Sequence, residues 1–155
     1  MAIKKHQNSS NQLQHIWSIL CQSSSVDQKS QNISLFNVIE QINIQRNANN
    51  TNNGAPVKIP FPTHLVVLLR KLDKSDSTGS MKIEIIDPEN KTLDSKITPI
   101  NITDLTKDRW RFIFSIPTMT ITTPGYYTFR ILLKINTANY VTINELPLSV
   151  TINSV

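Results

Sequence analysis

The sequence predicts an all-β fold, an antiparallel β-sandwich of about eight strands. Three observations carry that reading. Hydrophobic side chains recur with a period of two, most cleanly over residues 109–116. There Trp110, Phe112, Phe114 and Ile116 share one parity, and Arg109, Arg111 and Ser115 share the other. The alternating segments are short and separated by turn signals such as Asp87-Pro88-Glu89-Asn90. No stretch sustains a helical period. At 155 residues the chain is expected to form one domain. Residues 1–13 are polar and aperiodic, so we expect a disordered lead-in to a single domain over 14–155.

The elements follow in order. Residues 15–22 alternate, with Trp17, Ile19 and Cys21 on one side. Residues 33–44 are rich in β-branched and aromatic types and read as one long strand. Ser34 and Asn37 ahead of Val38, Ile39 and Ile42 leave a short helix as the alternative. Residues 45–62 read as an irregular connection, because Asn and Gly favour positive φ and Pro56, Pro60 and Pro62 oppose regular pairing. The continuous run Leu65 to Leu69 implies a central strand buried on both faces. Ile83 and Ile85 point inward from the next strand, and residues 92–102 return as its neighbour. In the last segment, 140–152, the apolar parity slips at Asn144-Glu145, which predicts a bulge or a strand changing sheets.

The turn Thr123-Pro124-Gly125 opens into a strand on which Tyr127, Phe129, Ile131, Leu133 and Ile135 share a face. A tyrosine two residues after a turn glycine at such a position resembles the tyrosine corner of immunoglobulin-like sandwiches. Trp110, Phe112, Phe114, Tyr127, Phe129 and Leu133 are the expected centre of the core.

Three blocks stand out together: Trp17 to Cys21 running through Ile33 to Ile39; Leu65 to Leu69 followed by Ile83 to Asn90; and Pro124 to Phe129 leading to Glu145 to Val150. With them the chain resembles an uncharacterised family of small bacterial cytosolic β-sandwich proteins, a domain of unknown function. The resemblance implies a cytoplasmic β-sandwich and carries no activity or ligand. Cys21 is the one cysteine, so no intrachain disulfide can form, and the polar N-terminus does not read as a secretory signal. No apolar run is long enough to span a bilayer. The net charge of +5 is scattered, which makes nucleic acid an unfavoured partner.

Candidate chemistry is sparse. His15, His64 and Cys21 are expected to lie apart from one another, with no catalytic or cofactor-binding constellation. Five aspartates, Asp27, Asp73, Asp76, Asp104 and Asp108, are expected on loops at one end of the sandwich, where C2-like domains bind calcium. Lys29, Lys74, Lys107 and Arg109 share that end and oppose a metal. The candidate contact surface is Val57, Ile59 and Phe61, lying between prolines, together with the outward cations Arg109, Arg111, Arg130 and Lys134. The leading expectation is a non-enzymatic cytosolic module that binds another protein or itself. A C2-like calcium or anionic-surface binder and a nucleic-acid accessory protein are the alternatives.

Overall fold

Alternation of apolar and polar side chains is realised as nine strands in the computed structural model, which describes residues 13–46, 55–72, 77–103, 106–136 and 139–154. In chain order they are β1 (Leu13–Val26), β2 (Ile33–Val38), β3 (Gln41–Arg46), β4 (Val57–Lys71), β5 (Ser77–Ile86), β6 (Thr92–Ile102), β7 (Arg109–Ile121), β8 (Gly125–Ile135) and β9 (Val141–Ser154). They form two sheets, ordered β2-β1-β4-β7 and β3-β9-β8-β5-β6. Every pair is antiparallel except β3 with β9, which is parallel. No helix among the described residues is long and apolar enough to cross a membrane.

The core lies between the sheets. Leu65, Val67 and Leu69 of β4 and Phe114 of β7 face Met81, Ile83 and Ile85 of β5 and Tyr127, Phe129 and Ile131 of β8. Phe61 stacks near Phe129, with ring centroids 6.4 Å apart. Trp110 and Phe112 keep the inward parity but sit half-buried at the margin.

Val66 and Leu68 point the opposite way from these core residues, yet they are 0% and 8% exposed. Their cover is the ribbon made by the second half of β1 and β2. The β1–β4 ladder stops at Cys21 opposite His64, and beyond it β1 pairs only with β2. Ser24 Oγ lies 2.9 Å from His64 Nδ1, and both terminal nitrogens of Arg111 donate to the Gln31 carbonyl at 3.2 Å. A ribbon continuing in the plane of the sheet could not reach β7, two strands away. It bends out and lies across the outer face. Val26, Ile33 and Leu35 are half-buried beneath it, while Phe36 and Val38 on its far side stay exposed.

Two turns are fixed together at one end. The Tyr127 hydroxyl binds the backbone of Thr122 and Thr123, the tyrosine corner expected from the sequence. Thr122 Oγ1 donates to Asp87, whose other oxygen accepts from the Glu89 and Lys91 amides. Gly125 has φ 140°, and a Cβ there would meet Pro88 at 2.9 Å, so only glycine fits between these turns.

Several expectations require correction. Residues 33–44 form two strands in different sheets rather than one, and residues 57–62 belong to β4 rather than to a connection. Leu13, assigned to the lead-in, is buried in β1. Prolines are accommodated in β4 because Pro60 and Pro62 precede His64, where pairing with β1 begins, and flank a register shift against β7. The predicted bulge in β9 is present: Ile131 pairs with Asn144 but Leu132 with Thr142, which makes Ile143 the extra residue.

Candidate binding groove

The step from β2 to β3 carries the chain from one sheet to the other in two residues. The Ile39 amide donates to the Leu20 carbonyl at 2.8 Å, and the Glu40 carbonyl accepts from the Ser149 amide at 2.9 Å. Each sheet therefore holds one residue of the step. An open groove of about 490 Å³ runs beside it, within the size range of about 300–1,000 Å³ typical of ligand sites. Ile19, Leu20, Ile39, Leu146 and Pro147 supply apolar lining; Ser18, Glu40, Gln41 and Ser149 supply polar groups. Val38 and Tyr126 also line the groove and are 57% and 69% exposed. Both present apolar surface to water on one concavity.

The histidines are less isolated than expected. His64 sits directly opposite Cys21 in the β1–β4 ladder, so these two are neighbours. Cys21 is nonetheless fully buried, its thiol pushed upward in pKa by that burial, and His64 Nδ1 engages Ser24. His15 Nε2 lies 2.6 Å from Ser18 Oγ at the groove wall. This serine–imidazole contact, invisible in the sequence because a bulge between His15 and Trp17 creates it, has no hydrogen-bonded carboxylate behind it among the described residues. Ser18 is only 8% exposed. The pair satisfies two part-buried polar groups, and burial holds the imidazole below its ordinary pKa.

Two of the five calcium candidates, Asp27 and Asp108, fall on described residues. Asp73, Asp76 and Asp104 lie outside the described residues. Asp27 sits in the ribbon turn, where its Oδ1 accepts from the Lys29 amide and from the amide and hydroxyl of Ser30. Those bonds lower its pKa and engage one of its two oxygens. Asp108 is exposed beside Arg109 at 3.9 Å. No group of three or more His, Cys, Asp or Glu among the described residues could hold a metal ion.

The cations do not form one patch. Arg109 and Arg111 are on β7, whereas Arg130 and Lys134 are on β8 of the other sheet. Arg130 is paired with Glu145 at 2.6 Å and Glu84 at 3.8 Å. Lys134 and Lys82 flank the Tyr140 ring at about 6 Å. Of the apolar strip, Val57 is exposed, Ile59 half-buried and Phe61 in the core, so the strip is strand rather than docking loop. Asn47 to Gly54, the polar half of the expected connection, lies outside the described residues.

No family model matches the chain, and no curated protein matches it. Among solved structures it is similar to a glycosyl hydrolase family 2 member from Bacteroides cellulosilyticus DSM 14838, at 14% identity and TM-score 0.40, over 63% of this chain and 13% of that one. It is also similar to a β-glucosidase from Listeria innocua in complex with isofagomine, at 10% identity and TM-score 0.42, over 90% of this chain and 16% of that one. The chain thus spans a small fraction of either enzyme, and these likenesses carry nothing about its activity.

Proposed function

We propose that this chain is a non-enzymatic interaction module whose groove at the β2–β3 step takes an apolar segment of a protein partner or of a second copy. The observation that supports this most is the exposure of Val38 and Tyr126 on one mostly apolar concavity. Phe36, 50% exposed on the same edge strand as Val38, extends the apolar surface beyond it. A buried, unpaired Cys21 suits a reducing compartment, in keeping with the resemblance to cytosolic sandwiches. The test is sedimentation of the wild type and of Val38→Asp with Tyr126→Ser, each alone and mixed with native cytosolic extract. Association is expected for the wild type and not for the variant, with equal melting temperatures. Equal association by both overturns the groove, and association by neither overturns the module.

A further inference from the structure

At the end of the sandwich where β4 finishes and β7 begins, three buried donors lack acceptors among the described residues: Lys71 Nζ and Trp110 Nε1 on the inward face, and Arg111 Nε on the outward one. Lys71 continues the inward parity of Leu65, Val67 and Leu69 and is 6% exposed. Among the described residues its ammonium nitrogen has no hydrogen-bond partner, and neither does the buried indole nitrogen of Trp110. Trp110 is directly opposite Leu69. The Lys71 amide donates to the Asp108 carbonyl at 2.8 Å, so the chains remain side by side to that point. Lys71 and Trp110 are therefore diagonal neighbours on one face, with Cα atoms about 7–8 Å apart. Two long side chains at that spacing can serve one acceptor.

Burying an ammonium with no partner costs several kcal/mol by order of magnitude. A lysine at a strand end ordinarily escapes this by extending its head into water. Lys71 does not, although the strand ends with it. Asp108, the acidic residue beside Lys71 across the β4–β7 ladder, is 70% exposed and leans on Arg109. Leu13, directly opposite Lys71 on β1, is apolar and buried. Ammonium and indole N–H can only donate, and one of them is charged. Their complement is an anionic acceptor, and Trp110 itself is only half-buried.

We propose that Lys71 and Trp110 form a binding site for a small oxyanion, a carboxylate or a phosphate group, at this end of the sandwich. The site is separate from the groove and does not depend on it. The probes are sodium acetate and inorganic phosphate, titrated into the full chain at constant ionic strength against sodium chloride. Above saturation the melting temperature should rise by about 3–6 °C per tenfold increase in the free concentration of the anion that binds. A response to acetate alone identifies a carboxylate site, and a response to phosphate alone a phosphate site. Lys71→Met should abolish the response. The indole N–H resonance, assigned through Trp110→Phe, should shift on anion addition, which keeps the test open if Lys71→Met fails to fold. No response to either anion, with an unmoved indole resonance, would show that the donors are served within the chain and overturns the site. So does a response retained in Lys71→Met.

Discussion

The Tyr127 side chain and the Thr123 backbone are bonded in both directions: the hydroxyl donates to the carbonyl at 2.8 Å, and the amide donates back at 3.2 Å. The Thr122 amide adds a third bond at 2.8 Å. One fully buried side chain on β8 thus satisfies the backbone that turns the chain from one sheet to the other. Tyr127→Phe keeps the ring and leaves those groups without a partner. It should cost about 1–3 kcal/mol in denaturant unfolding. A loss near zero would mean that water replaces the hydroxyl at the corner.

Phe129 is fully buried and stacks near Phe61, so Phe129→Ala opens a large cavity between the sheets. The expected loss is about 3–5 kcal/mol. Ile97→Ala removes a side chain that is 57% exposed on the outer face of β6 and should change stability by no more than about 0.5 kcal/mol. Equal losses at the two positions would contradict the assignment of faces.

The strands whose faces could be read from sequence are those with one wet side. On β7 and β8, period-two alternation alone separates Phe114, Tyr127 and Phe129 from Arg111 and Arg130. The run Leu65 to Leu69 correctly signals burial on both faces, but nothing local says that a ribbon from β1 and β2 supplies the second cover. That depends on Ser24 meeting His64 and Gln31 meeting Arg111, contacts 40 and 80 residues apart. The break between β2 and β3 escaped detection because Ile33 to Ile44 is β-prone throughout, and the switch of sheet rests on single hydrogen bonds at Ile39 and Glu40. The groove follows from that switch, so it was equally hidden. Pro60 and Pro62 misled for a physical reason: they oppose a ladder on both sides, but β4 has no β1 partner at those residues and its register against β7 skips from Pro60 to Thr63.

Acid should destabilise the protein in two separable steps. The His15 imidazole is held below its ordinary 6.5 by burial, against a smaller opposing effect of the Trp17 backbone. Its folded pKa is below its unfolded one, so just under pH 6.5 the unfolded chain binds more protons and stability falls as pH falls. The Asp27 carboxyl is held below 3.8 by hydrogen bonds from Ser30 and Lys29, so its contribution is present above that pH and is lost as pH drops through the folded pKa. Melting temperature followed from above 6.5 to below 3.8 should show both falls. His15→Gln should remove only the upper fall, and Asp27→Asn only the lower. A wild-type curve flat through the upper range contradicts the burial of the imidazole.

Cys21 lies fully buried at the base of the ribbon, its thiol pushed up in pKa by that burial. A soluble disulfide reagent should therefore label it slowly in the native state. Arg111→Met removes the two bonds to Gln31 that tether the ribbon tip and should speed labelling by about tenfold or more, without global unfolding. Immediate labelling of the wild type would mean that the ribbon does not cover this face.

The groove at the β2–β3 step is tested most directly by placing a photo-reactive side chain at Val38 and, in separate samples, at Tyr126 and at exposed Asn101 on β6, the opposite edge strand of the sheet that holds β3 and β9. Irradiation in native cytosolic extract should yield the same discrete adduct from Val38 and Tyr126, either a partner or a second copy, and none from Asn101. Identical adduct patterns from all three positions, or no adduct from Val38 and Tyr126, would contradict a docking role for the groove.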